Sequence, residues 1–175
     1  MKRIAGVVLC LMFVAGAACA QMGPMTPAPE LKKLDFLAGN WTAEGTVTMP
    51  GMPGGKFSMT TRAEWMEGSF FLLEHSDFMI AGMGSGKEIA ILGYDPDHKV
   101  YTYHAFSSMG EAESSTGTVD GDTWTWLSEE NMGGKMMKGR FTMKVLSPAS
   151  YTMKYETSSD GTNWMTGMEG KATKK

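Results

Sequence analysis

The residues here whose chemistry could be put to use are a dense aromatic set, a few histidines and arginines, and an excess of methionine. Trp65, Phe57, Trp124, Trp126, Phe141, Tyr151, Tyr155 and Trp164 fall mostly on the apolar faces of segments with strand-like alternation. Such side chains either wall a pocket for an apolar or amphipathic guest or meet and fill the centre. Arg62 and Arg140 could each receive a carboxylate in bidentate fashion. Strand parity sets both opposite the cleaner apolar face, where Glu64 is a natural partner for Arg62. His98 belongs to a turn, and His75 and His104 to strands. The set expected to touch a ligand is Trp65, Phe57, Trp126, Phe141, Tyr151, Tyr155, Arg62 and His104.

The methionines allow a second chemistry. Met22/Met25, Met49/Met52 and Met165/Met168 are spaced i, i+3, and thioethers are soft donors suited to Cu(I). The plainer reading is that methionine fills irregular apolar space. Histidines interleaved with these pairs, which would strengthen the copper reading, are absent. There is no His-Glu-x-x-His, no Gly-x-Ser-x-Gly and no phosphate-binding loop, the local signatures of zinc hydrolases, serine hydrolases and P-loop enzymes. Nothing calls for a cofactor.

What must position these side chains is almost entirely β-structure. Pro29–Ala38 is the one helical candidate: proline suits its first turn, Leu31, Leu34 and Leu37 share one side, and Gly39 is placed to end it. From Trp41 the period changes to two. Strands are expected at 41–48, 56–66, 70–79, 88–94, 100–106, 111–119, 123–129, 136–146, 150–157 and 164–173. Turns rich in Gly, Pro and Asp separate them, with Asp120-Gly121 and Asp160-Gly161 the clearest hairpin signals. No segment of crossover length lies between strands, so parallel pairing is excluded. A long antiparallel meander removes its exposed edges by closing into an up-and-down barrel. The Gly-rich loops Met49–Gly55 and Ala81–Gly86 would form a movable lid at its mouth.

Residues 1–20 stand apart. Lys2 and Arg3 precede the apolar run Ile4–Ala17, and Ala18-Cys19-Ala20 supplies small residues before a cut. This is the layout of a secretory signal peptide, and the run is short for a membrane span. Processing as a lipoprotein would attach lipid at Cys19, but Gly16 stands where a larger aliphatic residue is usual. Cleavage near Ala20 removes both cysteines, so disulfide and thiolate chemistry go with them. It also removes two basic residues, taking the net charge from −3 to −5. That balance argues against nucleic acid as a partner. The expected organisation is a signal peptide at 1–20, a flexible leader at 21–28 and one barrel domain at 29–175, exported to the periplasm or beyond.

The segment Leu31-Lys-Lys-Leu-Asp-Phe-Leu-Ala-Gly-Asn-Trp41 resembles the entry of lipocalin-like (calycin) barrels, where a short helix leads into Gly-x-Trp on the first strand. Arg62-x-Glu-Trp65, Gly68-Ser-Phe-Phe-Leu-Leu-Glu74 and Leu92-Gly-Tyr-Asp-Pro-Asp-His-Lys-Val-Tyr101 resemble a bacterial family known as domain of unknown function 1579. The likeness runs over about residues 30–173. It implies a lipocalin-like barrel and no established activity. Nitrobindins, a neighbouring calycin family, hold haem through a histidine on a late strand. The last histidine here is His104, so that resemblance carries no haem site to this chain.

The expectation is therefore an all-β, single up-and-down antiparallel barrel of about ten strands with a short N-terminal helix over one end. Its expected role is non-enzymatic binding or carriage of a small hydrophobic or amphipathic ligand. The alternatives are a ligand-free scaffold for an envelope protein partner of unknown identity, and Met-based copper handling.

Overall fold

The computed structural model describes residues 26–48, 54–132 and 134–175. The expected signal peptide, most of the leader and Met49–Pro53 lie outside them. Ten strands follow one short helix: β1 (Gly39–Val47), β2 (Gly55–Trp65), β3 (Leu72–Ile80), β4 (Gly84–Asp95), β5 (Val100–Ser107), β6 (Ala112–Asp120), β7 (Thr123–Met132), β8 (Lys135–Ser147), β9 (Ser150–Ser158) and β10 (Met165–Lys174). Each pairs antiparallel with the next, and β10 pairs back onto β1 from Met168↔Val47 to Lys174↔Trp41. The sheet is closed, so no strand presents an unpaired edge.

Side chains alternate across this wall. In β2, Phe57, Met59, Thr61, Ala63 and Trp65 face inward, as the sequence pattern predicts, while Lys56, Ser58, Thr60, Arg62 and Glu64 face outward and are exposed. Turn chemistry sets the register between strands. A two-residue turn with Gly121 at φ 56° joins β6 to β7. The Asp160 carboxylate organises the β9–β10 turn by accepting from the backbone N–H of Thr162 and Asn163, both at 2.8 Å. The expected lid at Ala81–Gly86 is shorter than its glycines imply. It is a turn of three residues, and β4 already begins at Gly84.

The helix, Pro29–Leu37, is a 3-10 helix rather than an α-helix. Leu31, Leu34 and Leu37 recur every three residues, the repeat of a 3-10 turn, so all three line up on one edge and are buried. Runs of this length are uncommon for 3-10 geometry. Here the barrel holds the helix by its polar groups. Trp41 Nε1 donates to the Leu37 carbonyl at 2.7 Å, Tyr101 Oη to that of Glu30 at 3.0 Å, and Lys174 Nζ to that of Phe36 at 3.0 Å. Trp65 Nε1 donates to Asp35 Oδ1 at 3.0 Å. Gly39, at φ 123°, turns the chain from the helix into β1.

The helix thus stops one end of the barrel. Its leucines pack with Leu72, Leu92, Tyr101, Trp124, Trp126 and Met143 in the larger apolar cluster. A second cluster joins Trp41, Ala43, Phe57, Met153 and Ala172. Leu34 is fully buried, so Leu34→Ala should leave a cavity and cost about 3 kcal/mol of unfolding free energy. Urea denaturation checks this. A loss under about 1 kcal/mol would mean that the helix is not part of the cooperative fold.

An acidic tier inside the barrel

Toward the end away from the helix the interior changes character. Glu74 on β3, Glu88 on β4, Glu113 on β6 and Glu130 on β7 all sit at inward-facing positions. Across β3–β6 the register sets Glu74 opposite Ala90, Ala90 opposite Ala105, and Ala105 opposite Glu113. The two alanine methyls take little room, which lets the acidic side chains converge above them. Ser76 lies opposite Glu88, and Ser115 lies between Tyr103 and Ser128 on the neighbouring strands.

The four carboxyls are unequally solvated by the protein. Glu130 receives two donors: the Tyr155 hydroxyl, 2.9 and 3.0 Å from its two oxygens, and Ser128 Oγ at 2.9 Å. Gly139 makes this cluster possible. A Cβ there would collide with Ser128 Oγ and come within 3.0 Å of Glu130 Oε1 and 3.1 Å of Tyr155 Oη. Glu88 receives one donor, Tyr103 Oη at 3.1 Å. Among the described residues no salt bridge reaches any of the four. The hydroxyl of Ser115 stands near enough to Glu113 to ease its ionisation slightly, yet it is buried and makes no hydrogen bond.

Their acidities follow. Burial, with the Glu88 charge adding to it, pushes the Glu74 carboxyl up to about 7. Burial also pushes Glu113 up to about 7, with Glu130 and Glu88 adding to it. Burial raises Glu88 less, because the Tyr103 hydrogen bond stabilises its charged form. The same field holds the Tyr103 and Tyr155 phenols well above their usual value, burial again being the larger cause. Glu74 faces inward and is only partly buried. Tyr103, Glu113, Glu130, Phe141 and Tyr155 likewise face inward and are only partly buried.

The residues expected to touch a ligand divide into three groups. Trp126, Phe141 and Tyr155 stand beside the acidic tier. Phe141 is opposite both Trp126 and Tyr155 in the sheet, and Trp126 packs on Tyr103 at 5.9 Å and stacks with Trp124 at 6.2 Å. Phe57, Tyr151 and Trp65 also face inward but serve packing. Phe57 lies over the facing glycines Gly45 and Gly170, Tyr151 lies against Trp41 at 5.0 Å, and Trp65 ties down the helix. Arg62 and His104 are corrections. Both project from the outer surface, Arg62 to Glu64 at 2.6 Å and His104 Nδ1 to Ser114 Oγ at 3.0 Å. Trp164 is outside as well, under the Arg140 guanidinium at 4.0 Å. His75 is outward and exposed, so the two strand histidines do not meet in the interior.

None of these four acids is among the residues the sequence led us to expect at a ligand. Their signal was present: Leu72, Glu74, Ser76, Phe78 and Ile80 share one parity, and so do Glu88, Ala90 and Leu92. For copper, Met165 is exposed while Met168 packs into the second cluster. The other two Met pairs lie outside the described residues. No group of three or more His, Cys, Asp or Glu among the described residues is placed to hold a metal ion.

These acidities fix a pH dependence of stability. A carboxyl whose folded value lies above its unfolded value of 4.5 stabilises the fold fully below that value. The contribution is lost as pH rises toward about 7. For Glu74 the loss is about 3 kcal/mol. Unfolding free energy should therefore fall between pH 5 and pH 8, and Glu74→Gln should flatten that fall by about its share. Equal slopes in urea denaturation of the two proteins would show that Glu74 is solvated as in water.

Among solved structures the fold is similar to that of a protein described as Rv2717c from M. tuberculosis. The match has a TM-score of 0.61 at 14% identity and covers 85% of this chain and 99% of that one. That identity carries the barrel architecture and nothing finer. No curated protein matches the sequence. No helix among the described residues is long and apolar enough to cross a membrane. The family model described as a protein of unknown function (DUF1579) matches residues 26–174. With its strand order, its closing β1–β10 pair and its 3-10 stopper now described, the chain belongs to the DUF1579 family.

Proposed function

We propose that the protein is an exported, non-enzymatic carrier that takes up a small amphipathic molecule inside the barrel, at the end away from the helix. The observation that carries this reading is the partial solvent contact of side chains that face inward from a closed wall, Phe141, Tyr155 and Glu74 among them. A barrel finished as a packed core would leave them dry. Ten strands also give a wider barrel than eight, whose interior side chains suffice to fill it or to hold one small ligand. Burial of the guest's apolar part against Trp126, Phe141 and Tyr155 would supply affinity, and the polar tier would orient it. The basic, apolar and small-residue stretches of residues 1–20 support export.

Comparison of native and denaturing mass spectra of protein purified from its own cells tests this. Extra mass that disappears on denaturation is the expected result, with the bound fraction reduced at least several-fold in Trp126→Ala. A native spectrum at the bare protein mass, and the same result for protein incubated with an extract of its cells, would contradict it. One observation favours the scaffold alternative. Ile89 and Phe106 are cross-strand neighbours on the outer face, 45% and 60% exposed. A partner held there would be lost in Phe106→Ser, while uptake into the barrel would be unaffected.

A further inference from the structure

Four carboxyls at inward-facing positions of a closed wall, with no cation among the described residues paired to any of them, amount to an incomplete electrostatic arrangement. The fold has found donors for Glu130 and one for Glu88. It has found none in hydrogen-bonding geometry for the Ser115 hydroxyl, which is 6% exposed and faces the interior beside Glu113. A buried hydroxyl without a partner is costly, and so is a buried carboxylate without a counter-charge. Both costs fall on the same patch of wall, β3 to β7. The opposite wall there carries no charge: Gly45, Gly170 and Ala172 face inward, and Phe57 covers the two glycines. Lys174, held against an inward aromatic, is engaged at the stopped end with the Phe36 carbonyl and Trp41.

Resting on the carrier reading above, we propose that the guest is an amphipathic organic cation: an ammonium group held between Glu74, Glu88 and Glu113, with an aromatic or alkyl body lying on Trp126, Tyr103 and Phe141. The chemistry of the wall selects this class. Anions meet four acidic groups, none of which pairs with a cation among the described residues. A neutral apolar molecule leaves the carboxyls buried and unpaired. A bare metal ion needs three or more ligating groups at contact distance, which the tier does not assemble. An organic ammonium is bulky enough to face several separated carboxylates at once, and its charge also favours the faces of the aromatic rings beneath. Ser115 Oγ is free to accept an N–H or a polar substituent of the guest.

Binding of this kind depends on pH through the protein. The titratable groups that face the ammonium are Glu74 from β3, Glu88 from β4, Tyr103 from β5, Glu113 from β6, Glu130 from β7 and Tyr151 and Tyr155 from β9, with Glu111 at the rim before β6. Those of β10, β1 and β2 that face inward at this level are uncharged, and on β8 Lys135 shares the inward parity at the exposed rim, level with Glu111. The phenols stay protonated through the neutral range. Glu74 and Glu113 change charge near 7, so the tier is neutralised, and the guest released, on mild acidification.

The test is a fluorescence titration of the full-length processed protein with two naphthalene probes in 150 mM NaCl. One is (2-naphthylmethyl)trimethylammonium, whose charge does not change with pH. The other is neutral 2-naphthylmethanol. At pH 8 the cation should bind at least tenfold tighter than the alcohol. That preference should shrink to within threefold at pH 5, and likewise at pH 8 in Glu74→Gln/Glu113→Gln. Glu64→Gln, on the outer face, should keep it. If the double variant does not fold, Glu113→Gln alone should lose at least threefold. Equal binding of the two probes would overturn the cation assignment and leave the carrier reading standing. Binding of neither would overturn both. A preference unchanged by pH 5 and by the substitutions would place the cation elsewhere and overturn the assignment. Displacement of the probe by millimolar calcium would make the tier a simple metal site and overturn it too.

Discussion

Closure of β10 onto β1 is the constraint from which the rest of the molecule follows. Once the sheet has no edges, every second side chain points into a space bounded by ten strands. That space is too wide for Val and Ala alone to fill. Near the helix the chain fills it with large groups: Trp41, Trp65, Trp124, Trp126, Tyr101 and three leucines of the stopper. Where it needs them larger still, it removes a Cβ from the facing strand. Trp126 lies over Gly117, where a Cβ would come within 2.5 Å of the indole, and Phe57 lies over Gly45 and Gly170. Away from the helix it stops adding bulk and places acids, hydroxyls and alanines instead.

That change of lining is difficult to explain as packing. A carboxyl moved from the outer face to the interior gives up hydration. The structure recovers only part of it, through Tyr103, Tyr155 and Ser128. Elsewhere the same chain pairs a buried charge well: Glu156, 6% exposed, is held by Arg140 at 2.8 Å and Lys154 at 2.6 Å, which bring its pKa below the usual carboxylate value against the opposing effect of burial. Positive side chains are therefore available to this sheet and are spent on its outer face. A free energy cost retained in one patch and avoided in another marks that patch as the place where something else completes the arrangement.

Much of the architecture was legible in residue order. Period-two alternation and the Gly, Pro and Asp turns located all ten strands to within a few residues, and the absence of crossover segments gave antiparallel order and closure. The helix was placed correctly, but its type was not. The i, i+3, i+6 spacing of Leu31, Leu34 and Leu37 suits a 3-10 repeat better than an α-helix, and barrel donors to the helix carbonyls, together with the buried leucines, hold such a run together. The aromatic half of the interior was legible from parity. The acidic half was not, because Glu74 and Glu113 gain their meaning from strands far away in the chain. Arg62 and His104 went astray for the opposite reason. Their chemistry was inviting; the parity of β2 already set Arg62 outside, whereas the blurred alternation around His104 did not decide its side.

The claim that the account depends on most is that Glu74 and Glu113 sit in a confined acidic tier rather than in ordinary water. Carbon-13 NMR titration of the glutamate side-chain carboxyls in the free protein tests this directly, with Glu→Gln variants assigning each resonance. The account predicts that these two titrate near 7, while outer-face carboxyls such as Glu64 titrate well below them. Midpoints below 5 for both would mean that the tier is freely hydrated, and the argument for a cationic guest would fall with it.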